Sequence, residues 1–146
     1  MGHSETHKTL HQQFNGRDFD SMDEHMRGDL TSEDVPRGLT MKNRDEFKDW
    51  LRDWSTAFSD ARVDAASYLE GADFSLARFR GRGINDGPLG PLPATGKPMD
   101  IPFWELLHYD GDGKVTAAAI HYDQVTLLAQ LGHIEPLGQV VPHDNP

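Results

Sequence analysis

The chain has 146 residues and no cysteine, which suits one domain and excludes disulfides and thiol nucleophiles. Its 24 acidic residues outnumber its 14 basic ones. The resulting formal net charge of −10 argues against a nucleic-acid partner, because such a surface repels phosphate groups. The chain contains no run of about 18 apolar residues, so no membrane span is predicted. The polar N-terminus has no apolar core of the kind found in signal peptides. We therefore expect a cytoplasmic protein without a membrane partner.

Helical periodicity characterises the N-terminal part of the chain. Glu5–Phe14 predicts a helix, and Asp18–Met26 predicts a second helical turn. The segment Gly28–Leu39 contains a proline and two glycines and is expected to be irregular. A longer helix is expected from residue 42 or 43 to about residue 58. Its apolar stripe consists of Phe47, Trp50, Leu51, Trp54 and Phe58.

After this helix the period of the apolar residues changes to two, which is typical of strands. Val63–Glu70 and Phe74–Arg82 predict a β-hairpin. Ile101–Tyr109 and Lys114–Tyr122 predict two further strands joined by a tight turn. Helices followed by an antiparallel meander predict an α+β fold. We expect a cone-shaped, curved antiparallel sheet that wraps around the N-terminal helices and encloses an internal pocket.

The segments between and after these elements complete the predicted organisation. Gly83–Pro98 is a long loop that is expected to cover the pocket or to contact a partner. A short helix is expected over Val125–Leu131. We expect a single domain over residues 1–132, followed by an irregular tail over residues 133–146.

The last predicted strand suggests where a functional site lies. Strand alternation places Ala117, Ala119, His121 and Asp123 on one face. Alanines are small where strands usually carry β-branched residues, so they leave space beside the sheet. If Lys114 pairs with Tyr109 around the turn, this face also carries Trp104, Leu106 and His108. The pattern predicts a pocket with a proton-transfer group in its wall.

A series of short motifs occurs in an order found in one known family. The motifs are Asn43-Arg44-Asp45-Glu46-Phe47, Phe58-Ser59-Asp60-Ala61-Arg62, Gly71-Ala72-Asp73, Arg78-Phe79-Arg80-Gly81-Arg82-Gly83, Pro93-Ala94-Thr95-Gly96-Lys97-Pro98 and Asp123 followed by Leu127-Leu128-x-Gln130-Leu131-Gly132. With them the chain resembles SnoaL-like proteins of the nuclear-transport-factor-two-like superfamily, which includes polyketide cyclases. The resemblance extends from about Leu10 to Gly132.

This resemblance implies a cone that holds an apolar ligand, often within a homodimer or homotetramer. It also implies that Asp123, at the end of the final strand, acts as acid and base, and that His108 assists it. Two departures distinguish this chain. Asp34-Val35-Pro36-Arg37 and Gly83-Ile84-Asn85 stand where family members often carry a histidine.

We therefore expect a cofactor-independent cyclase that closes a ring in a polyketide-like carbonyl compound by an aldol-type reaction. A carbon between two carbonyls is acidic enough for a single desolvated carboxylate, here Asp123, to remove its proton. His121 or His108 would orient this carboxylate or hold the enolate oxygen. The side chains expected to bind the substrate are Tyr68, Phe79, Trp104 and Trp54, although core packing is an alternative for each aromatic residue.

Other interpretations of the same residues remain open. Asp123 could cap the following helix, His121 could lie at a sheet edge and His108 could be solvated. The domain could be a binding module without chemistry, or a related hydratase, isomerase or hydroxylase.

Metal binding is not expected. His3, His7 and His11 share one helical face, but without an evident carboxylate ligand they are expected to form a solvated face rather than a metal site. A dimer surface is expected at an outward row of Phe103, Ile120 and Tyr122.

Overall fold

The structure, a computed structural model, describes residues 2–138 and 140–143. Within these residues, three α-helices and six strands, four of them consecutive in the chain, form an α+β arrangement, which confirms the predicted fold class. In chain order the elements are α1 (His3–Asn15), a 3-10 helix (Asp20–Glu24), β1 (Met26–Asp34), β2 (Leu39–Met41), α2 (Arg44–Ala57), β3 (Arg62–Glu70), β4 (Phe74–Ile84), β5 (Pro98–Tyr109), β6 (Val115–Tyr122) and α3 (Gln124–Gln130).

The strands form one sheet in the order β2-β1-β6-β5-β4-β3. Neighbouring strands are antiparallel except β1 and β6, which are parallel, so the sheet is mixed rather than wholly antiparallel. The expectation of an irregular Gly28–Leu39 is wrong, because most of this segment belongs to β1. The inward residues of β1 include Leu30, Ser32 and Asp34. Because two of these three are polar, the sequence does not show the alternation of apolar and polar residues that indicates a strand. The predicted helical turn over Asp18–Met26 is reduced to the short 3-10 helix.

The long helix α2 begins where its sequence indicates, since the Asn43 side chain accepts a hydrogen bond from the backbone N–H of Glu46 at 2.9 Å. Its apolar stripe faces the concave side of the sheet. There the Trp54 ring lies edge-on to Phe103 and Tyr122, with centroids 5.7 and 5.5 Å apart. Helix α1 packs against β3 and β4. The two helices and the curved sheet thus surround the interior.

The register of β5 and β6 determines which side chains reach this interior. His108 lies opposite Ala117 and Trp104 lies opposite His121, so these residues share a face as predicted. That face is the outer one: Trp104, His108 and His121 are exposed, so the expectation that they look into a pocket is wrong. An irregularity after His108 pairs Tyr109 with Val115 and shifts the register relative to a simple hairpin.

The residues expected on an outer dimer surface lie in the core instead. Phe103, Ile120 and Tyr122 are between 4% and 9% exposed. The face of β5 and β6 that turns inward is the one with the large apolar residues and not the one with the alanines, because burying large apolar side chains contributes most to stability. Assembly into dimers or tetramers stays a prediction.

The longest connection between two elements runs from residue 85 to residue 97, between β4 and β5. Within the described part of the chain, no helix combines the length and apolar character needed to cross a membrane. Residues 133–138 and 140–143 contain no helix or strand. The other residues of the expected tail, Gln139 and residues 144–146, lie outside the described residues.

Candidate functional site

A cavity lies between α1, α2 and the concave face of the sheet. Its volume is about 80 Å³. Most of its wall is apolar, with side chains that include Leu10, Phe14, Trp50, Trp54, Phe79 and Phe103. Against this background two buried polar side chains, His11 and Glu105, also line the cavity. An apolar cavity with a few convergent polar groups is the usual form of a small-molecule site.

Glu105 is the centre of a buried polar cluster. Its Oε1 atom lies 2.8 Å from Nε2 of His7 and 2.8 Å from Nε2 of His11. The His7 side chain has no exposed surface, and the side chains of His11 and Glu105 are each 10% exposed. Oε2 of Glu105 has no hydrogen-bond partner among the residues that the structure describes. The carboxylate is therefore fixed through one oxygen while the other remains available.

Helical and strand periodicity bring these three residues together. His7 and His11 are one turn apart on α1 and share the buried face that also carries Leu10 and Phe14. In β5 the inward row reads Ile101, Phe103, Glu105, Leu107 and Tyr109, so a carboxylate interrupts an apolar row. Since α1 packs across the sheet, its two imidazoles lie directly over this carboxylate.

Hydroxyl groups hold the outer nitrogens of both histidines. Nδ1 of His7 lies 2.7 Å from Oγ of Ser75, and Nδ1 of His11 lies 2.8 Å from the Tyr68 hydroxyl. Ser75 contacts the Tyr109 hydroxyl at 2.7 Å. A β-bulge precedes Tyr68, with Ala65 at a φ of 51°, and such bulges change the direction of the side chains that follow. The cluster is thus oriented by groups from β3, β4 and β5.

Burial and hydrogen bonding set the charge states in the cluster. Burial lowers the pKa of His7 below its ordinary value, despite the nearby Glu105 carboxylate. Burial alone would raise the pKa of Glu105, but its close polar contacts with His11 and His7 outweigh burial and hold the pKa well below the usual range. Burial, together with the charge of Glu105, raises the pKa of Tyr68 to about 12. An ionised carboxylate therefore lies in the wall of an apolar cavity.

Asp34 is a second buried carboxylate, at the end of β1. Its oxygens accept hydrogen bonds from the Tyr122 hydroxyl at 2.9 and 3.0 Å and from Nε1 of Trp50 at 3.0 Å. It also accepts the backbone N–H of Arg37 at 3.3 Å. This carboxylate ties α2 to the sheet, and we assign it a structural role.

The three residues predicted to be catalytic from the sequence do not converge on the cavity. Asp123 is exposed and caps α3, accepting hydrogen bonds from the backbone N–H of Thr126 at 3.1 Å and from its hydroxyl at 2.7 Å. These hydrogen bonds lower its pKa, whereas the desolvation expected of an inward-facing carboxylate would raise it. His121 and His108 lie on the outer face of the sheet. The expectation of an inward-facing Asp123 is therefore wrong.

Three of the four residues predicted to bind substrate are at the cavity or next to it. Trp54 and Phe79 line the cavity, and Tyr68 contacts His11. The Phe79 ring stacks on Phe103 with centroids 5.3 Å apart. Trp104 is instead 45% exposed on the outer face, with the Arg78 guanidinium 5.3 Å from its ring centroid. Binding of a substrate by Tyr68, Phe79 and Trp54 stays a prediction.

Glu105 is absent from the site residues predicted above, and the prediction that His7 and His11 form a solvated face is wrong, because both histidines are buried. The available signal was the position of His7 and His11 on the same helical face as Leu10 and Phe14. The expectation that no carboxylate completes a ligand set with these histidines is also wrong, because both histidines and Glu105 offer ligand atoms within 4.8 Å of one another.

Several solved structures share this fold. IdmH of Streptomyces antibioticus, a proposed polyketide cyclase, is 22% identical, with 90% of this chain and 99% of that chain covered and a TM-score of 0.76. A proposed SnoaL-like polyketide cyclase from Jannaschia sp. CCS1 is 19% identical, with 92% and 93% covered and a TM-score of 0.82. AclR of Streptomyces galilaeus, a proposed hydroxylase, is 18% identical, with 94% and 85% covered and a TM-score of 0.79.

No curated protein matches the sequence. The model of one family, described as SnoaL-like polyketide cyclase, matches residues 5–131, which include every helix and strand from β1 to α3 and almost all of α1. The chain therefore belongs to the SnoaL-like polyketide cyclase family.

Proposed function

We propose that this chain is an acid–base enzyme that acts on an apolar carbonyl compound, and that Glu105 transfers the proton. The observation that carries the proposal is the position of the Glu105 carboxylate in the wall of the apolar cavity, held by His7 and His11 at 2.8 Å. The carboxylate is held in its ionised form, which is the form that can accept a proton. Membership of the polyketide cyclase family supports ring closure as the reaction.

The proposed reaction uses one proton twice. Oε2 of Glu105 removes a proton from the carbon between two carbonyl groups, and the electron pair moves onto the adjacent oxygen to give an enolate. The enolate carbon attacks a second carbonyl of the same molecule, so a carbon–carbon bond forms and an alkoxide results. The protonated Glu105 returns the proton to this alkoxide. The product is an isomer of the substrate, and the enzyme returns to its starting state.

The groups around Glu105 have separate tasks in this scheme. His11 lines the cavity beside Glu105 and, with its other nitrogen bonded to the Tyr68 hydroxyl, holds the carboxylate in place from the cavity side. His7 is fully buried and acts through Glu105 as a positioning residue. Trp54 and Phe79 supply flat apolar surfaces that hold the substrate in a folded conformation.

The cavity limits the size of what can bind without rearrangement. A volume of about 80 Å³ is smaller than the roughly 150 Å³ of a cavity that holds benzene, so even a ligand with one ring requires the walls to move, and a polyketide with several rings requires a larger movement. A small aromatic β-keto ester is therefore the better first probe of the chemistry.

Proton exchange at carbon tests the proposal without knowledge of the natural substrate. The exchange of the α-protons of ethyl benzoylacetate into D₂O is followed by NMR with wild-type protein, with Glu105→Gln and with Asp123→Asn. We expect the wild type and Asp123→Asn to accelerate exchange above the buffer rate and Glu105→Gln to lose the acceleration. Exchange at the buffer rate with the wild type across a panel of apolar β-keto esters, or full acceleration by Glu105→Gln, would contradict the proposal.

A ligand carrier without chemistry is the second candidate. The observation that favours it is that His7 and His11 both bond to Glu105, so the cluster is satisfied without a substrate. A carrier binds the same β-keto esters but leaves the rate of α-proton exchange unchanged. Combining a binding titration with the exchange measurement therefore separates the two functions.

A further inference from the structure

We propose that His7, His11 and Glu105 form a binding site for a divalent first-row transition-metal ion. Nε2 of His7, Nε2 of His11 and Oε1 of Glu105 all lie within 4.8 Å of one another, and each histidine nitrogen is 2.8 Å from the carboxylate oxygen. Two imidazoles at i and i+4 of a helix together with one carboxylate are a ligand set that zinc, iron and cobalt favour. The site follows from the arrangement of these groups and not from the proposed reaction.

The hydrogen bonds that lead from Tyr109 through Ser75 to His7 indicate a cation between His7 and Glu105. The Tyr109 hydroxyl donates its one hydrogen to the backbone carbonyl of His3 at 3.1 Å, because a carbonyl can only accept. The 2.7 Å contact between Tyr109 and Ser75 must then use the hydrogen of Ser75. The 2.7 Å contact between Ser75 and Nδ1 of His7 must in turn use a hydrogen on Nδ1.

This tautomer directs the lone pair of the other His7 nitrogen at Glu105. Nε2 and the carboxylate oxygen are 2.8 Å apart, so a positive centre, either an extra proton or a metal ion, must lie between two electron pairs. The same oxygen also faces Nε2 of His11 at 2.8 Å. A single metal ion would bind the lone pair of His7 Nε2 together with the carboxylate oxygen, and His11 could join it by carrying its hydrogen on Nδ1, toward the Tyr68 hydroxyl.

The surroundings match those of histidine ligands in metal sites. Such ligands usually bond their second nitrogen to a carbonyl, carboxylate, hydroxyl or water, which fixes the ring orientation. Here Ser75 and Tyr68 do this for His7 and His11 at 2.7 and 2.8 Å. Both rings are therefore held in place by groups that are not themselves ligands.

The distances also indicate the kind of site. For an ion about 2.1 Å from each ligand atom, a nitrogen and an oxygen 2.8 Å apart give a nitrogen–metal–oxygen angle of roughly 85°. This angle is close to the right angle of octahedral coordination and smaller than the tetrahedral angle. Because His11 and Glu105 line the cavity, the remaining positions would face it and could take water or a carbonyl oxygen. Oε2 of Glu105 would remain free for proton transfer, so metal binding and acid–base chemistry are compatible.

Metal titration of the full-length protein tests the site in the absence of any substrate. Protein treated with EDTA and then dialysed is titrated with Zn²⁺ by calorimetry and with Co²⁺ by visible absorption. We expect one ion per chain, with a Co²⁺ spectrum typical of five- or six-coordinate nitrogen and oxygen ligands. Glu105→Gln and His11→Ala should weaken binding by at least about 100-fold, and Ser75→Ala should weaken it about 10- to 100-fold.

The controls are histidines elsewhere on the molecule. His108→Ala and His121→Ala should bind as the wild type does, and His3→Ala tests the remaining histidine of the α1 face. Because a ligand variant could fail to fold, NMR of the histidine ring nitrogens in wild-type protein gives an independent measurement, in which Zn²⁺ should shift Nε2 of His7 and His11. Wild-type binding that does not saturate at one ion per chain, or binding unaffected by Glu105→Gln, would overturn the proposal. The exchange assay on metal-free protein tests the proposed function separately.

Discussion

The two faces of strands β5 and β6 carry the same kinds of groups in different environments. On the inner face Glu105 is held by two histidines, His7 and His11, and all three are buried. On the outer face the nearest counterpart is Asp123 with His121 and His108, all exposed. Nε2 of His7 and Nε2 of His11 each lie 2.8 Å from the same oxygen of Glu105, whereas Asp123 bonds to Thr126 in the helix that it caps.

This difference shows that the identity of the residues does not by itself make a site. Interactions between charges and hydrogen-bonding groups are several times stronger in a protein interior than in water. The inner cluster can therefore perturb pKa values and bind ions, while water screens the outer groups. Substitutions on the two faces should therefore differ in their effects.

The largest expected effect is on activity. Glu105→Gln keeps the size and most hydrogen-bonding atoms of the side chain but cannot accept a proton, so catalysis of α-proton exchange should fall about 10²- to 10⁴-fold. Asp123→Asn, the matched change on the outer face, should leave the rate within a factor of two. Rates measured by NMR for both variants under the same conditions test the contrast, which a similar loss in both would remove.

The second effect is on stability. Glu105→Ala leaves Nε2 of His7 and of His11 buried without their carboxylate, which we expect to cost about 3 kcal/mol of unfolding free energy. Asp123→Ala removes only the cap of α3 and should cost about 1 kcal/mol. Urea unfolding of metal-free protein followed by circular dichroism measures both values. Equal losses would mean that the inner cluster is not buried as the structure shows.

Much of the fold was predictable from the sequence, because period and capping residues are local. The α2 helix follows from Asn43 and an apolar stripe, and the hairpin of β3 and β4 follows from alternation. Strand β1 was missed because it alternates polar with polar: Ser32 and Asp34 point inward and Glu33 outward. Its burial comes from pairing with β6 and from packing under α2, which a local pattern does not contain.

The site was less predictable, since alternation groups residues by face but does not say which face is buried. Both rows of β5 contain large apolar residues, with Phe103 and Leu107 inside and Trp104 and Leu106 on the other face. The choice depends on whether α2 covers one row or the other. Once the row with Phe103 is known to be inner, Glu105 stands out as a charge in an apolar row.

A third effect should appear in the ionisation of the tyrosines. The pKa of Tyr109 is raised to about 12 by burial, with a further contribution from the charge of Glu105. Burial also raises the pKa of Tyr68 to about 12, and the pKa of Tyr122 is raised by burial and by Asp34. The chain has three tyrosines, so the folded protein should show almost no tyrosinate absorbance near pH 10, where unfolded tyrosines titrate.

The same shifts determine how stability depends on alkaline pH. Because the pKa is higher in the folded state than in the unfolded state, the tyrosines contribute stability that is fully present below pH 10. This contribution is lost as the pH rises from about 10 to about 12. Unfolding free energies measured by urea titration across this range test the sign. A full tyrosinate signal at pH 10 from folded protein would contradict the buried positions of these side chains.

The smallest effects are expected on the outer face itself. His121→Ala and His108→Ala remove exposed side chains that touch neither the cavity nor the Glu105 cluster, so each should change the unfolding free energy by no more than about 0.5 kcal/mol. Exchange activity should be unchanged in both. Urea unfolding and the α-proton exchange assay on the single and double variants provide the measurement. A clear loss of activity with an unchanged fold would restore the outer histidines as functional groups, and it would place the reaction on the face opposite to Glu105.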